Sequence, residues 1–448
     1  MKFSKEKPKK KLHMVSLGCT KNLVDSEVML GKLKDYELVN DEEDADLIIV
    51  NTCGFIDSAK EESINTTLNL HNKRKKESVL VMAGCLSERY KEELQKELTE
   101  IDIFTGVGDY DKIDKLINEK RSSFSDEVFL TSETDDRVIT GSNYHAYVKL
   151  SEGCNQTCSF CAIPSFKGKL HSRTLESLVK EVNLLVKKGF KDFSFVSQDS
   201  SSFLRDFGYN NGLELLIDEI EKIKGVKTAR ILYLYPSTTS FSLIDKIANS
   251  KIFMNYFDMP LQHISQNMLK IMKRGKGAEK LKELIQYMKS KPNSFIRTTF
   301  IAGHPGEKEE DFSELCNYVE NFEFDRANVF SYSDEEGTSS QMQKDKIPQK
   351  LIDERASILG EIIFETTLKS LENDIGKTFE VYIDKESDEH EYLLSARKTI
   401  WAPDIDGEIY INDNELEEQI AFGEIYIVEA TELIGDKLLA KVIKKVCI

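Results

Sequence analysis

A chain of 448 residues is too long for one hydrophobic core and predicts two or three domains. Its 61 basic and 78 acidic side chains give a formal charge of -17, which excludes a surface built throughout for nucleic acid and favours solubility or a basic partner. No apolar run of about 18 residues occurs, so neither a membrane span nor a secretory leader is expected and the expected location is cytoplasmic; the eight cysteines are then expected to serve metal binding or catalysis more than disulfides.

The chain opens on a basic tail, residues 1–10, within "MKFSKEKPKKKLHM", whose six lysines and Glu6 read as a solvated segment. From residue 12 one arrangement recurs three times, an apolar strand, a cysteine and a polar helical stretch: "LHMVSLGCTKN", "DLIIVNTCGF" and "SVLVMAGCLSE". Helices are predicted over Asp25 to Leu33 and Asp57 to Leu70, which makes residues 11–135 a doubly wound β-α-β-α-β domain with a parallel sheet. Such sheets gather their strand carboxyl ends along one edge, so Cys19, Cys53 and Cys85 are expected to face one place. Gly18, Gly54 and Gly84 beside them are expected to let the backbone turn sharply and let something bulky approach closely. At this level a chance set of buried thiols and a three-thiolate site for a soft metal or iron-sulfur cluster both remain open.

Residues 140–375 begin with "HAYVKL" and the loop "SEGCNQTCSFCAIPSFKG", carrying Cys154, Cys158 and Cys161. Structural zinc normally takes four ligands, and His171 could complete such a site; the other reading is a 4Fe-4S cluster with one iron open. Strands are predicted at Ala146–Leu150, Phe193–Ser197, Arg230–Tyr235, Tyr256–Met259, Phe295–Ala302 and Ala327–Tyr332, with helices between, among them Thr174–Lys188 and Ala278–Lys289. Six β-α units fit a partial (β/α)6 barrel, which does its chemistry at the strand carboxyl ends. Cys316 and Cys447 stand alone and read as ordinary small side chains.

CxxxCxxC, with Phe160 before its last cysteine and a six-unit core behind it, resembles the radical S-adenosylmethionine superfamily. The N-terminal trio narrows the resemblance to methylthiotransferases, over roughly residues 11 to 445. The resemblance implies two 4Fe-4S clusters, on Cys19, Cys53, Cys85 and on Cys154, Cys158, Cys161, with S-adenosylmethionine at the second. The stretches "SLGCTKNLVDSE", "CAIPSFKGKLHSR", "LYLYPS", "DMPLQHIS", "RTTFIAGHPGE" and "SYSDEEGT" are similar to the branch that modifies an aspartate of ribosomal protein S twelve, rather than an adenosine of transfer RNA. By the same resemblance Phe160 would cover the adenine, and Gln198, Gln262 and Arg297 would hold polar parts of cofactor or substrate, Arg297 being the best candidate for a carboxylate because its fork matches one in bidentate geometry. Lys167, Arg173, Lys273 and Arg274 either receive the substrate aspartate or are solvated cations. The GGE signature of many radical enzymes is absent; "SFVSQDSS" stands in its place. An electron donor is implied but not identified.

Residues 376–448 hold short β-type runs and resemble the TRAM domain, a small antiparallel β-barrel. With 8 lysines and arginines against 17 aspartates and glutamates, this segment is expected to repel phosphates, so no direct RNA binding is expected of it; a basic protein suits it better. A scaffold binding zinc in both trios is the reading furthest from this one.

Overall fold

The computed structural model describes residues 9–416 and 419–446. Residues 1–8 of the basic tail and Cys447 lie outside the described residues, and Lys10 already opens the first strand.

The first unit is a parallel sheet of β1 (Lys10–Ser16), β2 (Tyr36–Leu38), β3 (Leu47–Thr52), β4 (Val79–Gly84) and β5 (Ile103–Phe104), in the order β2-β1-β3-β4-β5. All six residues of β3, "LIIVNT", are buried, as a central strand covered on both faces requires. The edge strands β2 and β5 add to the three expected; at three and two residues they are too short to carry a periodic pattern. The helices that return the chain are α1 (Thr20–Lys32), α2 (Asp57–Lys73) and the one-turn α3 (Cys85–Arg89). Helix α1 starts five residues before the expected Asp25, because the polar "TKNLV" forms its first turn directly after Cys19.

The second unit follows as β6 (His145–Lys149), the ribbon of β7 (Ser151–Glu152) and β8 (His171–Ser172), then β9 (Asp192–Val196), β10 (Thr228–Ile231), β11 (Phe253–Asp258), β12 (Phe295–Ala302) and β13 (Arg326–Ser331). Six of these form one parallel sheet, β13-β12-β11-β10-β9-β6, with β6 and β13 as its edges. Val148, Phe195, Ile231, Phe257 and Phe300 belong to the large apolar core shared with the surrounding helices. Strand β10 stops at Ile231, short of the expected Tyr235, because Tyr233 takes a φ of 62° and gives its amide to Asp258 Oδ2 at 3.0 Å.

The third unit is a closed barrel of β14 (Thr378–Glu386), β15 (Leu394–Lys398), β16 (Ile409–Asn414), β17 (Ile425–Ile434) and β18 (Lys437–Lys445), ordered β14-β15-β16-β18-β17. It is not wholly antiparallel. The β17-β18 hairpin returns with β17 against β14, which sets β18 parallel to β16. This barrel packs against one face of the larger sheet: Tyr147, Val196, Leu232, Tyr256 and Phe295 share one apolar cluster with Trp401 and the small barrel's core. At the seam Asp192, fully buried, lies 2.9 Å from Arg230 Nη2 and 2.7 Å from Arg397 Nη2. Although burial opposes it, the two guanidinium groups hold its carboxyl well below the usual range. No helix among the described residues is long and apolar enough to cross a membrane.

Candidate functional site

The N-terminal cysteines come from three strand ends. Cys19 precedes α1, Cys53 follows β3, and Cys85 opens α3 straight after β4. Asn22 ties the three turns together: its Nδ2 donates to the carbonyls of Leu17 (3.1 Å) and Thr52 (3.0 Å), and Cys85 Sγ lies 3.6 Å from its Oδ1. Gly18 and Gly84 make the expected sharp turns at positive φ, but what approaches closely differs from the expectation. A Cβ on Gly18, whose φ is +82°, would stand 2.6 Å from Cys53 Cβ, and one on Gly54 would stand 2.7 Å from Leu86 Cα. They let the cysteine turns close on one another, so the close approach is made by neighbouring backbone and side chain. Burial, with Cys19 adding to it, pushes the Cys53 thiol up to about 11. Burial likewise pushes Cys85 up to about 12, against the pull of Lys167.

The second set lies in the loop after β7. Gln156 N donates to Cys154 Sγ at 3.4 Å, Arg274 Nη1 donates to Cys158 Sγ at 3.2 Å, and Tyr235 Oη is 3.6 Å from the same sulfur. Ser159 anchors the loop: its amide donates to Met272 O (3.0 Å), and its carbonyl accepts from Ser340 N (2.8 Å). Its hydroxyl meets His304 Nε2 at 2.9 Å. Burial lowers His304 to about 4, so the ring is neutral; with Nδ1 facing Pro305 O at 2.9 Å, Nε2 is left to accept from Ser159. Burial pushes the Cys154 and Cys161 thiols up to about 12, with Cys158 adding to both.

These donors fit iron-sulfur ligation. Both sets are thiols, the soft ligands such clusters take; none of the six is in a disulfide, and within each set the sulfurs lie close enough to feel one another's charge. Among the described residues no three His, Cys, Asp or Glu side chains converge as the ligands of one metal ion do, and His171 is exposed on β8.

A buried ionic network joins the two sets. Lys149 pairs with Asp25 of α1 and with Glu152 (2.7 Å); Lys167 lies 3.5 Å from Asp25 and 3.4 Å from Glu152. None of these four side chains is more than 4% exposed. Burial alone would raise Glu152, but Lys149 and Lys167 hold it down at about 2. Farther along the interface Glu335, in the loop after β13, takes Lys60 at 3.0 Å and Arg89 at 2.5 Å.

The expected contact residues fare unevenly. Gln198 reaches the site: its Nε2 donates to Glu152 Oε1, while its Oε1 is buried with no partner. Gln262 is half-buried at the carboxyl end of β11 with a φ of 72°, its backbone bridged to Thr299 and Ile301. Phe160 packs with Met268, Met272, Tyr332 and Ile352 and touches Cys158 and Cys161. Arg297 does not offer an open fork for a carboxylate. Asp258 takes its Nη1 at 2.9 Å and Asp406 lies 3.3 Å from its Nε. Lys167, Arg173 and Arg274 are buried in the contacts of the fold, Arg173 against Glu181, and only Lys273 is exposed. Sequence reasoning passed over Lys21, Asn22, Asp25, Lys149 and Glu152, since polar residues on a helix or in a loop read as solvated; in "TKNLVDSE" the run from Lys21 to Glu27 is buried at all but Leu23.

Three family profiles match the chain in order: Uncharacterized protein family UPF0004 over residues 11–106, Radical SAM superfamily over 148–319 and TRAM domain over 375–443. With the two cysteine sets, that combination defines a radical S-adenosylmethionine methylthiotransferase. Proteins named "Ribosomal protein uS12 methylthiotransferase RimO" are similar over almost the whole chain. That of Aliarcobacter butzleri is 78% identical, covering 99% of this chain and 100% of its own length, and that of Sulfurimonas denitrificans is 66% identical, covering 96% and 98%. The chain belongs to the RimO family. Among solved structures, the radical methyltransferase TsrM of Kitasatospora setae aligns with a TM-score of 0.52 at 14% identity, covering 72% of this chain and 74% of its own. The cobalamin-dependent radical enzyme OxsB aligns with a TM-score of 0.50 at 10% identity, covering 79% and 56%. At these identities the likeness is one of fold alone.

Proposed function

We propose that this chain inserts a methylthio group at the β-carbon of an aspartate in ribosomal protein uS12, with two 4Fe-4S clusters and two molecules of S-adenosylmethionine. The observation that carries the reading is the pair of three-thiol sites, on two units, joined by the buried network of Asp25, Lys149, Glu152 and Lys167. Cys19, Cys53 and Cys85 hold one cluster, and Cys154, Cys158 and Cys161 hold the other. The bound groups supply a methylated sulfur at the first site and a 5'-deoxyadenosyl radical at the second.

The side chains do the positioning. The C-H bond attacked is too weakly acidic for a side-chain base, so no general-base dyad is required. Arg274 and Tyr235 hold Cys158 from one side, and Ser159 pins its loop to Met272 and Ser340. Gln198, with its buried Oε1 unpartnered, is the group best placed to accept from the amino end of S-adenosylmethionine, in place of the missing GGE signature. The ionic network fixes the distance between the units, and fixed distance is what a radical transfer between two bound partners needs.

The working units are residues 11–135, 140–375 and 376–448. The last docks the basic substrate protein: its Arg397, Lys398, Lys437 and Lys441 are each paired with carboxylates, which leaves the barrel surface acidic. The enzyme works in the cytoplasm with an electron donor still to be identified, and its third unit makes no direct contact with RNA. The test is anaerobic reconstitution followed by separate incubation with uS12 and with transfer RNA. A methylthio mass gain on uS12 supports the reading, whereas methylthioadenosine in transfer RNA with untouched uS12 overturns it.

A further inference from the structure

Lys21 is the second residue of α1, yet its ammonium lies 3.5 Å from the centre of the Tyr233 ring, which sits at the carboxyl end of barrel strand β10. The residue is 9% exposed, and among the described residues its ammonium makes no hydrogen bond and no ion pair. The carboxylates whose charge reaches it, Glu152 and Asp258, are engaged elsewhere. Glu152 is held by Lys149, Lys167 and Gln198, and Asp258 by Arg297 and the Tyr233 amide. The ring face is its one close partner, and the ammonium keeps contact with solvent, so it is open to an incoming carboxylate. Tyr233 itself holds a φ of 62°, a strained conformation found where a side chain must be aimed.

The place matters as much as the charge. Lys21 stands two residues from Cys19 and reaches across to the carboxyl end of β10 in the barrel unit. Most other cations near the site are bound, Lys149 and Lys167 by Asp25 and Glu152, Arg297 by Asp258 and Asp406, Arg274 by Cys158 and Pro260 O, while Lys273 is exposed with its ammonium 3.2 Å from Ser339 Oγ. We propose that Lys21 receives the side-chain carboxylate of the substrate aspartate and thereby sets the β-carbon between the two sites. This rests on the methylthiotransferase reading above. An ammonium suits the task, since it is a compact charge with three donors that can meet one carboxylate without the flat fork an arginine needs.

The test uses the full chain, reconstituted anaerobically, with purified uS12 and with uS12 whose target aspartate is replaced by asparagine. The native enzyme should bind the aspartate form about tenfold or more tightly, as a desolvated charge pair gives. In Lys21→Met and Lys21→Gln the preference should fall to about one, with iron and sulfide per chain and the electron paramagnetic resonance spectrum of the N-terminal cluster unchanged. A preference that survives in both variants overturns the assignment. Loss of iron or an altered spectrum in both overturns it too, since Lys21 would then serve the cluster. Should the native enzyme leave uS12 unmodified by mass, the functional reading fails instead, whatever the binding ratio.

Discussion

Arg274 Nη1 meets Cys158 Sγ at 3.2 Å, with the guanidinium stacked 4.4 Å from the centre of the Tyr235 ring. A guanidinium donor at this sulfur fixes where it stands for ligating iron. Replacing it, as in Arg274→Leu, should lower iron incorporation at the barrel site several-fold and slow cleavage of S-adenosylmethionine by about tenfold or more. Iron and sulfide analysis of a Cys19→Ala/Cys53→Ala/Cys85→Ala background isolates that site; full loading in the Leu variant would remove the role.

The two cysteine sets should fail differently. Cys158→Ala is expected to abolish cleavage of S-adenosylmethionine, whereas Cys53→Ala should spare cleavage and stop sulfur insertion. Chromatography of 5'-deoxyadenosine beside the mass of uS12 separates the two, and equal loss of cleavage in both folded variants would contradict the division.

Gly18 packs against Cys53 with no room for a side chain. Gly18→Ala forces a Cβ to 2.6 Å from Cys53 Cβ at a φ of +82°, so the Cys19 and Cys53 turns must part. The expected result is loss of about half the iron per chain, all from the N-terminal site, read by iron analysis against Cys53→Ala.

Lys149 is fully buried between Asp25 and Glu152. Lys149→Met leaves both carboxylates to Lys167, at 3.5 and 3.4 Å, and should destabilise the metal-free chain by about 3 kcal/mol, as breaking a buried pair does. Lys149→Met with Asp25→Asn should recover part of that loss. Urea midpoints measure both, and a shift within error for the single variant would show the network to be dispensable.

Acid should act through Glu152. Its folded-state value of about 2 lies below the ordinary 4.5, so the stability it contributes is complete above about pH 4.5 and is lost as pH falls through that point toward 2. The loss is about 3 kcal/mol at most, at about 1.36 kcal/mol per unit. Denaturation of the metal-free chain at pH 6 and pH 3 should show it, and Glu152→Gln should show a smaller difference.

Much of the site was legible because cysteines are rare and their spacing is local. Three strand-cysteine-helix repeats place Cys19, Cys53 and Cys85 on one sheet edge by topology alone, and CxxxCxxC is visible as a string. The pairing of Arg297 was hidden for a physical reason: its position at a strand end is a sequence property, but whether Asp258 and Asp406 occupy its fork depends on a strand neighbour and a loop residue 39 and 109 positions away. The one-turn start of α1 and the parallel β16-β18 pair were likewise hidden, since neither has a periodic signature.

By itself the sequence determined the three-unit architecture, the six thiols and the family, because periodicity, cysteine spacing and composition are properties of short stretches. Only the tertiary structure decided which cations are spent and which is left. Lys167, Arg173, Arg274 and Arg297 look available in sequence and are consumed by carboxylates, carbonyls or sulfur, while Lys21, lost in a polar helix start, stands over Tyr233 without an ion pair among the described residues. Charge is written residue by residue, but pairing is set by distance across the fold, and distance is what a linear chain does not carry.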